Sequence, residues 1–225
     1  AYYAYKMGLP VNRFICASNE NNVLTDFMNT GRYSRNRSFY ATASPSMDIL
    51  VSSNLERLLY LISGKSGNIK EWMQDLNTNG EYKVDSGTFD ELNRLFYGGC
   101  CDDGETENII KQTYEKYGYL CDTHTAVAVG VNIKYREATG DNTPTIIAST
   151  ANPYKFPGSV LKALKNEASE NEFENLVLLE NETGMKSPEQ LKVLSDKKDR
   201  FSDTFEKEKM SDFVINKVKS LNGAE

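Results

Sequence analysis

The sequence predicts an α/β fold, and three observations predict it. Residues 11–18 (VNRFICAS) and 145–149 (TIIAS) are short β-rich runs, of the length and residue type that strands use. Elsewhere apolar residues recur three and four positions apart and stop at glycine, the pattern of capped helices. Residues 126–131 (AVAVGV) are small and apolar, a surface that lets a buried helix approach a sheet closely. Strands interleaved with helices argue a layered α/β arrangement.

The elements follow in chain order. The opening AYYAYKMG reads as the last two turns of a helix ending at Gly8, with Pro10 just beyond. Such a helix is too short to stand alone, and no initiator Met precedes it, so the expectation is a chain that starts inside an element of a longer protein. Strand 11–18 comes next, then the polar turn Asn19, Glu20, Asn21, Asn22. Val23, Leu24, Phe27 and Met28 fall on one helical face closed by Gly31. Residues 38–43 read as a short extended stretch ahead of Pro45. Ser53-Asn54-Leu55-Glu56 has capping-box spacing, with the serine capping and the glutamate reaching back; Leu55, Leu58, Leu59 and Ile62 form the buried face behind it. Thr88 to Glu91 repeats the device, with Phe89, Leu92 and Phe96 on one stripe. Residues 106–117 predict a helix with Ile109, Ile110, Thr113 and Tyr117 inside and Gly118 at its end. Run 145–149 reads as a strand covered on both faces, and Asn152 to Phe156 leads from it into a helix with Pro157 in its first turn. Beyond Asn166 helices alternate with polar connections.

Composition narrows the function. Formal net charge is −6 and mean hydropathy −0.55, with no basic stripe for nucleic acid and no apolar run near the roughly 18 residues a membrane helix needs. The acidic excess lies almost wholly beyond Asn166 and reads as a solvated helical surface. Cys121 and His124 stand at ligand-like spacing, with Cys16, Cys100 and Cys101 elsewhere. Neighbouring cysteines rarely aim both sulfurs at one tetrahedral ion, and no C-x2-C pair exists. The expectation is no metal, reduced thiols and a cytoplasmic protein.

Longer strings go further than composition. Ser44-Pro45-Ser46-Met47-Asp48-Ile49 followed by Ser53-Asn54-Leu55-Glu56-Arg57, then Asp122-Thr123-His124-Thr125-Ala126-Val127-Ala128, then Ser149-Thr150-Ala151-Asn152-Pro153-Tyr154-Lys155-Phe156 stand in that order. They resemble the SPSMDI…SNxER, HTAVA and STAxPxKF segments of the threonine synthases, and Gly8-Leu9-Pro10-Val11-Asn12-Arg13-Phe14 matches as well. Several ordered motifs are a strong signal. The resemblance covers residues 1–165. It implies the large domain of a fold-type-II enzyme that uses pyridoxal 5'-phosphate (PLP) and converts O-phosphohomoserine and water to threonine and phosphate. On that reading residues 1–165 are the C-terminal part of the PLP-binding catalytic domain, and 166–225 its helical acidic C-terminal segment. The family's cofactor lysine and its phosphate-binding loop belong upstream. Neither motif occurs here, so no catalytic residue is assigned and the missing N-terminal portion is required for turnover.

The resemblance implies that Thr150 hydrogen-bonds the pyridine nitrogen of PLP. A neutral hydroxyl leaves that nitrogen largely unprotonated, which suits elimination and replacement over transamination. Its place at the carboxyl end of the strand expected over 145–149 agrees; the plainer alternative is a turn cap. Asn152 and Lys155 are the substrate-binding candidates, Lys155 because a cation beside a helix N-terminus suits a phosphate; a solvated surface lysine is the alternative. His124 either caps and orders its helix or moves a proton. Ser46 and Asp48 either order the wall of the site and close over substrate or make a local turn, and Asn19 and Asn21 either face the cleft or shape their turn. Two other functions fit the same motifs: a threonine-synthase-like phospholyase that releases a keto acid, and a non-catalytic stand-alone interaction module.

Overall fold

The computed structural model describes residues 1–222 and divides into two compact units, Ala1–Pro188 and Glu189–Glu225. In the first, the order is α1 (Tyr2–Lys6), β1 (Phe14–Ser18), α2 (Val23–Thr30), β2 (Arg32–Ser34), α3 (Leu55–Ser63), α4 (Ser66–Asn79), β3 (Glu81–Lys83), α5 (Ser86–Leu95), β4 (Phe96–Cys100), α6 (Asp103–Tyr117), α7 (Thr123–Thr139), α8 (Pro157–Lys165) and α9 (Glu172–Thr183). The second contains α10 (Glu189–Lys192) and α11 (Met210–Asn222), with the Phe205 and Phe213 rings stacked at 4.1 Å. The α/β class holds: helices pack on a parallel pair of strands.

β1 and β4 run parallel, Phe14 opposite Phe96 through Ser18 opposite Cys100, so both strands end at the same edge. The pair is sandwiched between helices, and two adjacent glycines show how. A Cβ on Gly98 would sit 2.8 Å from the Thr25 carbonyl oxygen of α2, and one on Gly99 would sit 2.6 Å from Val131 Cγ1 of α7. Successive strand residues face opposite sides, so α2 covers one face and α7 the other. From the helix side, a Cβ on Gly130 would meet Cys101 Sγ at 2.8 Å. The small-residue helix therefore lies against the strands as its composition predicts. Cys101, Val127 and Val131 are its buried heart, with Ile15, Ala17, Tyr97 and Met47 packed around them.

A second cluster lies across the long crossover between β1 and β4. Phe27, Tyr33, Leu59, Trp72, Tyr82 and Leu92 are buried together. β2 and β3 form an antiparallel pair with Tyr33 opposite Tyr82, their rings stacked at 5.3 Å. Such cross-strand aromatic pairs are the unit of sheet stability.

Three local expectations need correction. Neither predicted capping box forms. α3 begins at Asn54 without a side-chain cap bond, the Asn54 amide oxygen being engaged by Arg57 instead. α5 starts two residues before Thr88 and is capped by Asp85, which accepts the Thr88 N–H at 2.9 Å; an aspartate ahead of the serine outcompetes the later threonine. Tyr117 is exposed while Ile110 is fully buried, and the capping box that does form is Asp102 with Glu105. Finally, residues 145–149 are not a strand. Ile146 is 93% exposed, because among the described residues no strand offers it a ladder of partners.

Candidate functional site

The carboxyl ends of β1 and β4 collect a polar network, the position where open α/β sheets bind ligands. β1 delivers Asn19, which is 1% exposed. Its Oδ1 accepts the Asn21 N–H at 3.0 Å in an Asx turn. Its amide nitrogen reaches Asp48 Oδ1 at 2.7 Å, Thr42 Oγ1 at 2.8 Å and Ser44 Oγ at 3.0 Å. Asn21 pairs with the Tyr40 backbone through both amide atoms, donating at 2.8 Å and accepting at 3.0 Å, and donates to Asp48 Oδ1 at 3.0 Å. Asp48 also accepts from the Thr42 hydroxyl at 2.7 Å and the Thr42 N–H at 2.9 Å. A half-buried carboxylate with four donors is well compensated. The loop of residues 42–48 is thus held by Asp48 from within and by two asparagines from the strand end. Both asparagines are buried structural groups, and Asp48 orders the loop across far more than a local turn.

β4 delivers a second clamp. Asp103, first residue of α6, accepts the Ala43 N–H at 3.0 Å. A third comes from α7, whose first turn is capped by Asp122. That carboxylate is 1% exposed and accepts the N–H groups of His124 at 2.9 Å and Thr125 at 3.2 Å, the cap arrangement. Its Oδ1 lies 3.2 Å from His124 Nδ1, and its Oδ2 accepts the Thr125 hydroxyl. Burial pushes the Asp122 carboxyl up, yet the bonds from His124 and Thr125 outweigh it and hold it below the ordinary carboxylate range. On the other side of the ring, His124 Nε2 accepts the Ser46 N–H at 3.1 Å. His124 therefore ties helix to loop, the ordering role, while Ser46 contributes its backbone.

The predicted ligand contacts lie just beyond. Thr150 ends the unpaired segment and is exposed, with no hydrogen-bond partner for its hydroxyl among the described residues. Its neighbour Ser149 reaches Thr125 Oγ1 at 3.0 Å, which fastens the segment to the first turn of α7. Asn152 is exposed, and its side chain accepts the Tyr154 N–H at 2.9 Å. Lys155 is exposed, with Nζ 5.1 Å from the Phe156 ring centroid; Phe156 in turn stands 5.1 Å from the His124 ring. Buried Tyr154 anchors this turn by donating to the Met185 carbonyl at 2.5 Å. At the N-terminus of α8 the Gly158 N–H already donates to Glu172 Oε2 at 3.1 Å, so a phosphate there would rely on the Lys155 ammonium itself.

Cys101 and Cys121 are buried, and burial pushes both thiols up to about 11, far from nucleophilic thiolates. No three His, Cys, Asp or Glu side chains converge as metal ligands among the described residues. A groove of 680 Å³ opens between α3 and α4, lined by Tyr60, Ile69, Lys70 and Met73; it shares no residue with the polar network and carries no convergent chemistry. No described helix is long and apolar enough to cross a membrane.

Thr42, Asp103, Asp122 and Thr125 are network members that sequence reasoning did not single out. Asp122 had a signal, an aspartate immediately before an apolar helix, which is the N-cap preference. Asp103 had none, since it meets Ala43 across 60 positions.

Known proteins fit this picture. Residues 125–214 match the family model described as threonine synthase, C-terminal. The chain is 42% identical over 182 residues to human threonine synthase-like 1, covering 80% of this chain and 24% of that protein. It is 39% identical over 209 residues to threonine synthase of Saccharomyces cerevisiae, covering 86% of this chain and 39% of that one. The crystal structure of yeast threonine synthase superposes with TM-score 0.72 at 35% identity over 88% of this chain and 40% of its own. That of PLP-bound threonine synthase from Brucella melitensis gives 0.71 at 31%, over 89% of this chain and 39% of its own. The fold is that of these fold-type-II enzymes. The chain spans between a quarter and two fifths of the length of these relatives.

Proposed function

We propose, for a chain that belongs to the threonine synthase and threonine synthase-like family, that it forms the part of a PLP enzyme that meets the cofactor ring and the substrate. The whole protein would convert O-phosphohomoserine and water to threonine and phosphate, a step of threonine biosynthesis. Within it, residues 1–165 belong to the catalytic domain and 166–225 extend it as a helical segment.

The observation that carries this reading is Thr150. Its hydroxyl is exposed and unbonded among the described residues, beside a serine fixed to the first turn of α7 and past the carboxyl end of the sheet. These residues fit the ring end of PLP, since one neutral donor suits one ring nitrogen. When bound, the cofactor supplies the electron sink for proton loss and phosphate departure. Thr150 keeps the ring nitrogen hydrogen-bonded and largely unprotonated. Asn152 orients the turn, and Lys155 offers a cation to the substrate phosphate. The ordered 42–48 loop is tied to the same first turn of α7 through His124.

A second reading has its own support. The human relative named threonine synthase-like 1 is slightly more similar to this chain than the yeast threonine synthase. A phospholyase would share every residue above and release a keto acid. A chimera separates the two: this chain replaces the aligned part of yeast threonine synthase and is given PLP and O-phosphohomoserine. Threonine and phosphate in equal amounts support the first reading; keto acid with phosphate supports the second. A folded, PLP-loaded chimera that releases no phosphate contradicts both, and leaves the non-catalytic module.

A further inference from the structure

We propose that Asp122 is the positioning residue that sets the Thr150 segment and the 42–48 loop in one register, through two hydrogen-bonded arms that diverge from its buried carboxylate. This deepens the reading above by naming what places Thr150, and its geometry stands without any cofactor.

The first arm runs through His124. The Ser46 N–H donates to Nε2 at 3.1 Å, so Nε2 must present a lone pair. The ring proton then sits on Nδ1 and faces Asp122 Oδ1 at 3.2 Å. The tautomer is thus chosen by the carboxylate behind the ring, as a second partner fixes the working nitrogen of an imidazole elsewhere. The His124 and Asp122 side chains are 11% and 0% exposed, so water competes weakly for either bond.

The second arm runs through Thr125. Its hydroxyl faces Asp122 Oδ2 and also donates toward Ser149 Oγ at 3.0 Å, so the carboxylate fixes the Thr125 rotamer and one proton is shared between the two oxygens. Ser149 immediately precedes Thr150, and residues 145–149 have no ladder partner among those described. With no sheet to set its position, the segment is fastened near Thr150 by this side-chain bond and at Thr143 and Thr145 by Arg136 of α7. The loop, by contrast, is also held by Asp103 and Met47. Loss of Asp122 should therefore move the Thr150 side more than the Ser46 side. A helix cap alone explains the two backbone bonds to Asp122. It explains neither the His124 tautomer nor the Ser149 contact.

His124 is the only histidine of the chain, so its imidazole nitrogens are unambiguous in a 15N spectrum of the full chain without cofactor. The expected result is the Nδ1–H tautomer in the unmodified protein, opposite to the form that free imidazole side chains favour. Asp122→Asn should shift the population toward Nε2–H and move the Ser46 and Thr150 amide signals. Ser149→Ala, which leaves the cap intact, should move Thr150 while Ser46 and the His124 nitrogens stay in place. An Nε2–H imidazole in the unmodified protein overturns the first arm without any substitution. An unmoved Thr150 signal in Ser149→Ala overturns the second. Neither readout involves turnover, so either failure is distinct from failure of the threonine synthase reading.

Discussion

Strand β1 and residues 145–149 are alike as strings and opposite as structures. FICAS and TIIAS are both five residues long, β-rich and apolar. The first lies in a parallel ladder with β4 between two helices. The second forms no strand and is unpaired, with Ile146 93% exposed. The difference is not propensity. A strand must place its N–H and C=O groups on a neighbour, and β4 exists to receive those of β1. β4 itself, FYGGC, reads poorly as a strand because glycine weakens strands. Its glycines are there because α2 and α7 leave no room for a Cβ on either face. Strand identity here is set by partners, and side-chain pattern alone cannot see partners that lie about 80 residues away.

Hydrogen exchange gives the widest contrast between the two. The β1 amides that donate to β4 should be strongly protected, whereas those of residues 145–149 should exchange nearly as an open chain, a gap of several orders of magnitude. Comparable protection in both segments would break the comparison.

Substitution sharpens it from both sides. Gly99→Val drives a side chain into Val131 and should destabilise by about 1–3 kcal/mol or more by denaturant unfolding, alongside Leu59→Ala, buried at 0% exposure, at about 2–5 kcal/mol. Ile146→Ser should change the stability of this chain by no more than about 0.5 kcal/mol. A large loss at Ile146 would mean that the segment has packing of its own.

Acid tests the fastening of the segment. The Asp122 carboxyl is held below its ordinary value by its partners, so its contribution is fully present above the unfolded value of about 3.9 and is lost as pH falls through the lower folded value. The stability gap between the unmodified chain and Asp122→Asn should therefore narrow as pH drops below about 4. A gap independent of pH would show that the carboxylate charge plays no part.

How much was legible follows from the same physics. Local signals were readable: α2 with Gly31, α7 with its small residues, and α8 with Pro157 all stand where their patterns put them. α4 carried a legible stripe in Ile69, Trp72 and Leu76, although its polar remainder obscured it. The β2–β3 pair and β4 depend on distant partners and were not readable. In the site, Thr150 came from a resemblance and Lys155 from its place beside a helix N-terminus, and the structure contributes what surrounds them. The clamps by Asp103 and Asn19 span 60 and 29 positions, and no local pattern encodes such contacts.

The most direct measurement is made at Thr150 in a PLP-loaded chimera with yeast threonine synthase, by cofactor absorbance and by phosphate and threonine release. Thr150→Ser should retain most activity. Thr150→Val leaves the ring nitrogen without its donor, at a cost of about 1–3 kcal/mol, or roughly 5- to 150-fold in rate. Thr150→Asp should protonate the nitrogen, shift the absorbance and divert substrate to side products. Indistinguishable spectra and rates for threonine, valine and aspartate at this position would contradict the account.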